Sequence, residues 1–140
     1  MANAADPLLA GLEPILAVPE FNVPLPDGER ASQNDIFGLA RSRSGPVAIM
    51  VEGKCNEPFG PTIEEWRADA SPGKKTRLSF LLRSVGLPKQ IDGAVRYQLL
   101  HRAASAVIEG GRYRAVAAVL LVHSFSAKRT GWPDYSAFLN

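Results

Sequence analysis

The sequence predicts one α/β domain, in which helices cover a mixed β-sheet. Short apolar, β-prone runs separated by turns come first, and helix-period patterns over residues 62–66, 74–85 and 93–109 follow them. A last apolar run, residues 115–122, returns to a β pattern. A meander of strands followed by a helical crossover into another strand gives a sheet with both antiparallel and parallel pairs. A length of 140 residues fits a single domain, residues 1–140.

The N-terminal segment predicts a helix and then a proline-framed stretch. Asp6 precedes Pro7, as an N-cap precedes a proline at the first helical position, and apolar residues follow at helical spacing up to residue 16. Pro14 is expected to end or bend this helix. Prolines 19, 24 and 26 leave room for at most a short edge strand at residues 21–23. Residues 26–28 predict a turn.

Two further strands are predicted over residues 35–40 and 47–54, joined by a turn at residues 42–46. If they pair as an antiparallel hairpin, the start of the first lies beside the end of the second. The apolar run of the second strand ends in two opposite charges, Glu52 and Lys54. Residues two apart in a strand share a face, so these side chains project together.

The second half of the chain predicts helices and one buried strand. Thr62 and Glu65 form a capping-box pattern, and residues 74–85 carry an apolar helical face. The longest helical pattern, residues 93–109, is expected to end at Gly110-Gly111. The unbroken apolar run at 115–122 predicts a strand buried on both faces, and residues 134–139 predict a closing helix.

The composition excludes some classes of protein and leaves others open. A net charge of +2 and a pI near 8.9 permit an anionic partner without demanding one. The single cysteine, Cys55, allows no internal disulfide and fits a reducing compartment. No apolar run approaches the roughly 18 residues of a membrane helix. Residues 1–6 lack the pattern of a signal peptide, so a cytoplasmic location and no membrane partner are expected.

A metal site is the sharpest chemical hypothesis. Asp35 begins one predicted strand, and Glu52 and Lys54 end its neighbour, so the three converge if the hairpin forms. Two carboxylates near a shared point can hold Mg²⁺ or Mn²⁺, which prefer oxygen ligands. A lysine beside them can orient water or stabilise negative charge on phosphorus. The simpler alternative is a surface ion pair of little energetic value at a strand end.

Asp35 followed by Glu52-Gly53-Lys54 at the end of an apolar strand resembles the PD-(D/E)xK phosphodiesterase superfamily. Asn34 stands where the motif has proline. The resemblance implies a restriction-endonuclease-like αβββαβ core, Asp35 and Glu52 as metal ligands, Lys54 as the catalytic lysine and Gln98 as a supporting residue. Three phrases also look like a bacterial family of unassigned function: Val-Glu-Gly-Lys from residue 51, Glu-Pro-Phe-Gly-Pro from residue 57 and Arg-Tyr-Gln-Leu-Leu-His-Arg from residue 96.

Other polar residues are candidates for substrate contact. Gln98, His101 and Arg102 recur at helical spacing, and their patch faces either the site or solvent. Basic residues of the helical region are candidate phosphate contacts, although a solvated helix start is the simpler explanation; the candidates are Lys74, Lys75, Arg77, Lys89 and Arg96.

The expected function is a Mg²⁺-dependent phosphodiesterase that acts on nucleic acid. The alternative is a catalytically inactive nuclease-fold module for binding or assembly, as a homodimer through the proline-rich N-terminal segment or the terminal helix. A hydrolase that uses His101 or His123 with a serine ranks below both, because the sequence has no Gly-x-Ser-x-Gly pattern.

Overall fold

The computed structural model describes residues 6–27 and 30–140. Two predictions concern residues that lie partly outside these ranges. They are the absence of a signal peptide at residues 1–6 and the turn at residues 26–28, whose glycine is not described. The chain begins with a 3₁₀ turn (Pro7–Leu9). The elements that follow are β1 (Glu13–Val23), β2 (Ser32–Ser42), β3 (Gly45–Lys54), α1 (Ile63–Arg67), α2 (Pro72–Ser84), α3 (Tyr97–Arg112), β4 (Ala117–Ser124) and α4 (Trp132–Leu139).

The four strands form one mixed sheet in the order β1-β2-β3-β4. The first three pair antiparallel and β4 runs parallel to β3, with Phe37 opposite Met50 and Met50 opposite Leu120. Helices α1 to α3 form the crossover that a parallel pair requires. The predicted α/β class with a mixed, helix-covered sheet is therefore confirmed.

The predicted N-terminal helix is wrong. Asp6 does cap a turn, since its Oδ1 accepts from the Leu8 amide at 2.9 Å, but the turn ends at Leu9 and β1 begins at Glu13. The short strand expected at residues 21–23 is the end of this 11-residue strand. β1 tolerates Pro14 and Pro19 because it is an edge strand, with one neighbour only. Pairing with β2 overrides the local helical spacing.

The longest helix and the last strand also depart from their predicted bounds. Residues 93–96 form a turn and a bridge between Arg96 and Thr62, so α3 begins only at Tyr97. Gly110 continues the helix instead of ending it, and a Cβ there would lie 3.4 Å from the Ala118 Cβ. β4 was expected to be buried on both faces, but it is an edge strand, and Leu121 is 49% exposed.

Helix α3 lies between two apolar clusters. On one side Ala106 packs against Phe37, Ala48 and Met50 of the sheet. On the other side α3 contributes to a cluster whose buried members are Leu25, Ile63, Leu81, Leu82, Val95, Tyr97, Leu100 and Ala104. Burial on two sides fixes the helix against the sheet. Its first turns lie over the start of β2 and the end of β3. No helix in residues 6–27 and 30–140 is long and apolar enough to cross a membrane.

Candidate functional site

A buried carboxylate, Glu52, is the centre of a polar network between β3 and α3. Strand alternation turns Met50, Glu52 and Lys54 toward the helix, and Glu52 is only 2% exposed. Its Oε1 accepts from Gln98 Nε2 at 2.6 Å and lies 2.9 Å from Lys54 Nζ. Its Oε2 accepts from Arg102 Nε at 2.6 Å. The carboxylate thus has three donors, two of them cationic.

The network continues from Arg102 to the start of β2. Arg102 Nη1 donates to Ser32 Oγ at 3.2 Å, and Ser32 Oγ lies 2.9 Å from His101 Nδ1. Because the serine oxygen accepts from the guanidinium, its hydroxyl proton is free to be donated to Nδ1. This assignment makes His101 the neutral tautomer that carries its proton on Nε2. Ser32 therefore links the cationic Arg102 to the neutral His101.

Burial is the main cause that lowers the pKa of His101 from 6.5 to about 3, and the nearby positive charges of Arg102 and Arg77 contribute in the same sense. The imidazole is consequently neutral over the physiological range, in agreement with its role as acceptor from Ser32. His101 is therefore a hydrogen-bonding element of the site.

The buried network has an excess of positive charge. One carboxylate, Glu52, faces two cations, Lys54 and Arg102, and His101 is neutral. Lys54 Nζ also lies 5.4 Å from the centroid of the Phe59 ring, a cation–π contact. Such an excess is stabilised by an anion placed within reach of the lysine.

Lys54 lines a cleft of about 530 Å³ beneath α4. Arg129 is the second cation of this cleft, and no carboxylate lines it among the described residues. Its other lining residues are Phe59, Val122, Ser124, Ser126, Gly131, Trp132 and Tyr135. Basic groups and hydroxyls thus meet aromatic rings in one concave surface of the size that small ligands occupy.

An ion pair positions the helix that roofs the cleft. Arg96 Nε lies 3.0 Å from Asp134 Oδ1 on α4, and Arg96 Nη1 donates to the Gly60 carbonyl at 2.9 Å. Phe138 of the same helix packs against the cluster around Leu100. Arg96, predicted to contact substrate phosphate, is instead engaged with the protein's own groups.

Asp35 is not part of the Glu52 network. Its Oδ2 accepts from the Gly53 amide at 2.7 Å, and a Cβ on Gly53 would lie 3.4 Å from the same oxygen. Since successive side-chain directions alternate along a strand, the Asp35 carboxylate lies on the side of Gly53, away from the side on which Glu52 meets α3. No hydrogen bond or ion pair joins Asp35 to Glu52 in the described part of the chain.

The predicted magnesium ligands do not fit a metal site in this arrangement. Both oxygens of Glu52 are engaged by cationic donors, and Asp35 caps a backbone amide elsewhere. Over residues 6–27 and 30–140, no group of three or more His, Cys, Asp or Glu side chains is placed to hold a metal ion. A divalent cation would have to compete with Lys54 and Arg102 for the same carboxylate.

The remaining predicted contacts are dispersed. Lys74 Nζ donates to the Trp66 carbonyl at 3.0 Å and to Asp69, and Lys75 is exposed on α2. Gln98 and Arg102 contact Glu52 directly, while His101 is linked to it through Ser32 and Arg102. The structure thus brings together Glu52, Lys54, Gln98, His101 and Arg102, but it does not bring Asp35, Lys74, Lys75 or Arg96 into the same network.

Two members of the site were missed by the sequence analysis. Ser32 was missed because β2 was expected to begin at residue 35, and the structure begins it three positions earlier. Arg129 lies in a loop with no motif, and only the return of the chain over β3 brings it near Lys54. Nothing in the local sequence marks either residue.

The fold and the network define a class of protein: an α/β domain with a mixed sheet, a buried charged network and an adjoining basic and aromatic cleft. A family described as a domain of unknown function, DUF6946, matches residues 1–140, and the chain belongs to this family. No curated protein and no solved structure matches the chain.

Proposed function

We propose that the protein is a non-catalytic binding module whose cleft binds a phosphate-bearing ligand of nucleotide type. The phosphate lies between Lys54 and Arg129, and the base stacks on the exposed ring of Trp132. The observation that carries the proposal is the engagement of Glu52 by two cations and an amide, which leaves this carboxylate no free oxygen for chemistry.

The composition of the cleft supports a nucleotide over a simple anion. Two cations and no described carboxylate favour a negatively charged group. Trp132 is 59% exposed, so its ring is accessible to a ligand, and Tyr135 lies on the same helix. Aromatic side chains of this kind stack nucleobases with little dependence on sequence.

A fluorescence titration tests the proposal. Short single-stranded oligonucleotides and mononucleotides are added to the protein, and quenching of Trp132 is followed in a Trp66→Phe background. Arg129→Gln is expected to weaken binding about tenfold, the effect of losing one charge-assisted hydrogen bond. Affinity should also fall with salt concentration. Arg83→Gln, an exposed change on α2 outside the cleft, is the matched control.

Equal affinity in the Arg129→Gln and Arg83→Gln proteins would reject the cleft as the binding site. Trp132→Ala and Trp132→Phe lack this fluorescent reporter, so their binding is measured by calorimetry; loss of binding in the first with retention in the second would support base stacking. If both variants bind as the parent does, the nucleotide is not held on this ring.

A Mg²⁺-dependent phosphodiesterase acting on nucleic acid is the second candidate. It is favoured by one observation: Glu52, Lys54 and Gln98, which the PD-(D/E)xK resemblance groups together, do meet at the end of β3. It requires Glu52 to exchange its cationic partners for a metal.

Calorimetric titration of Mg²⁺ or Mn²⁺ into wild type and Glu52→Gln separates the two candidates. Metal binding that is lost in Glu52→Gln, together with cleavage of single-stranded, double-stranded or branched DNA that is lost in Lys54→Ala, would establish the enzyme. No metal binding to the wild type would reject it and leave the binding module.

A further inference from the structure

Strand β4 leaves one edge of the sheet unpaired in the described part of the chain. The strand hydrogen-bonds to β3 alone, and none of its eight residues is buried. No backbone group of residues 117–123 bonds outward to another described segment. Alternate N–H and C=O groups along this edge therefore point away from β3 without a partner in the described fold.

The two edges of the sheet differ in the features that discourage pairing between chains. The other edge strand, β1, contains Pro14 and Pro19, a register shift after Pro14, and Glu20 with a φ of 51°. Prolines, bulges and charges oppose the addition of a further strand. β4 contains no proline, Lys, Arg, Asp or Glu, and its register with β3 is unbroken from Ala117 to Ser124. Of these two edges, β4 is therefore the one that can accept another strand.

The side of β4 that faces away from the helices is also apolar. Met50 faces α3 and pairs with Leu120, so Val119 and Leu121 point to the opposite side. Leu121 is 49% exposed, and Phe125, just beyond the end of the strand, is 67% exposed. The solvated side of a sheet is normally polar. Exposed apolar side chains beside an unpaired edge indicate an interaction surface.

We propose that β4 pairs antiparallel with β4 of a second copy of this chain, which joins the two sheets into one of eight strands. A two-fold axis perpendicular to the sheet at Leu120 keeps the helices of both copies on the same side. It places Leu121 of one copy opposite Val119 of the other. Phe125 then lies diagonal to Ala117 of the second copy, within reach of an aromatic ring. An overlap of eight residues supplies about eight hydrogen bonds.

A second copy fits this edge because β4 is complementary to itself. A symmetric interface uses the same patch on both subunits, so a charged strand would place like charges near each other, which is destabilising. β4 carries no Lys, Arg, Asp or Glu and avoids that cost. The partner strand must also offer apolar side chains opposite Val119 and Leu121, and in this register β4 itself offers them.

Sedimentation equilibrium of the full chain, from about 1 μM to about 300 μM, tests the pairing. We expect a concentration-dependent equilibrium between monomer and dimer in the wild type. Leu121→Lys should weaken the dimer at least about tenfold, because a charge at a strand edge opposes pairing. Leu16→Lys is the matched control, since Leu16 is a similarly exposed leucine (40%) on the β1 edge. It also probes the proline-rich N-terminal segment, and its dimer should match that of the wild type.

Two further measurements separate edge pairing from stacking of the two open sheet faces. Ile36→Lys places a charge on the exposed face of β2, away from the β4 edge, and should leave the dimer unchanged. In the wild type, hydrogen exchange at alternate amides of residues 117–123 should slow as the protein concentration rises, because edge pairing gives these amides acceptors. These experiments use no nucleotide, so their outcome is independent of the function proposed for the cleft.

A wild type that stays monomeric over this concentration range would overturn the inference, whether another segment of the chain or another protein covers the edge. So would a dimer that Leu121→Lys leaves intact, or one that Leu16→Lys or Ile36→Lys weakens equally. If Leu121→Lys does not fold, the wild-type amides decide: exchange over residues 117–123 that does not change with protein concentration would overturn the pairing of the two edges.

Discussion

Arg102 Nε donates to Glu52 Oε2 at 2.6 Å, and both side chains are less than a tenth exposed. The pair joins the end of β3 to the second turn of α3. Desolvating two charges costs several kcal/mol, which their attraction and the additional hydrogen bonds from Gln98 and to Ser32 offset. Removing one partner leaves a buried charge unpaired, whereas removing both does not, so the two changes should affect the free energy of unfolding differently.

Glu52→Gln should lower the free energy of unfolding by about 3–5 kcal/mol, because it leaves Lys54 and Arg102 buried beside a neutral amide. The double change Glu52→Gln with Arg102→Met should cost less than the sum of the two single changes. Urea denaturation of the four proteins measures the coupling. The exposed Glu13→Gln is the control. Additive effects would show that the pair is not coupled in solution.

Acid should destabilise the protein through His101. Its pKa is lowered to about 3 in the folded state, so the unfolded chain binds the proton more readily. The stability associated with the neutral imidazole is fully present above the unfolded pKa of about 6.5. It is lost as the pH falls from there toward about 3, and the free energy of unfolding then decreases by up to about 1.4 kcal/mol per pH unit. Denaturation midpoints between pH 7 and 4 measure it.

His101→Gln should remove this part of the pH dependence, whereas His123→Gln, an exposed change, should preserve it. The chain has two histidines, so the pair of variants accounts for both. A pH profile that changes equally in the two variants would contradict the buried, neutral state of His101.

Gly111→Ala should raise the free energy of unfolding by about 0.5–1 kcal/mol. The residue lies within α3, and a Cβ there would meet no atom within 4 Å. Gly86→Ala should act in the opposite sense, since Gly86 has a φ of 71°. Thermal melting of both variants gives the comparison. Destabilisation by Gly111→Ala would mean that the helix ends at Glu109, as the double glycine suggests.

Asp134→Asn should loosen α4 over the cleft. The Arg96–Asp134 pair is about a quarter exposed on each side, so we expect a loss of about 1 kcal/mol or less, confined to this helix. Hydrogen exchange of the α4 amides should speed up while exchange in α3 stays unchanged. Asp69→Asn removes an exposed pair with Lys74 and serves as the control. Uniform acceleration in both helices would contradict local docking.

The sequence predicts the elements whose signals are local. The turn between β2 and β3 and the capping box of Thr62 and Glu65 occur as expected, and the helix predicted over residues 74–85 forms as Pro72–Ser84. The N-terminal leucines lie at helical spacing, but the segment forms a strand that pairs with β2. Whether such a segment becomes a helix or a strand depends on the partner strand, which the local sequence does not show. The length and β propensity of the last strand are evident from residues 115–122, whereas its place at the sheet edge depends on the whole topology.

The candidate site also has parts that the local sequence predicts and parts that depend on the whole fold. Glu52 and Lys54 share a face because of strand alternation, and the spacing of Gln98 and Arg102 puts them on one side of a helix; both relationships are readable from the chain. The position of Asp35 was not readable. It depends on the β2–β3 ladder beginning only at Ile36, so that Asp35 lies just outside the ladder and its carboxylate accepts from the Gly53 amide.

The parallel pairing of β3 with β4 sets an order on folding. The β1-β2-β3 meander is built from neighbouring segments and can form early, whereas Val47 meets Ala117 only after the intervening helices have been made and closed into a crossover. During synthesis, the edge of β3 therefore stays unpaired while α1 to α3 emerge, and its apolar residues are open to association with other chains. The final eight-residue strand protects the nascent protein by covering that edge.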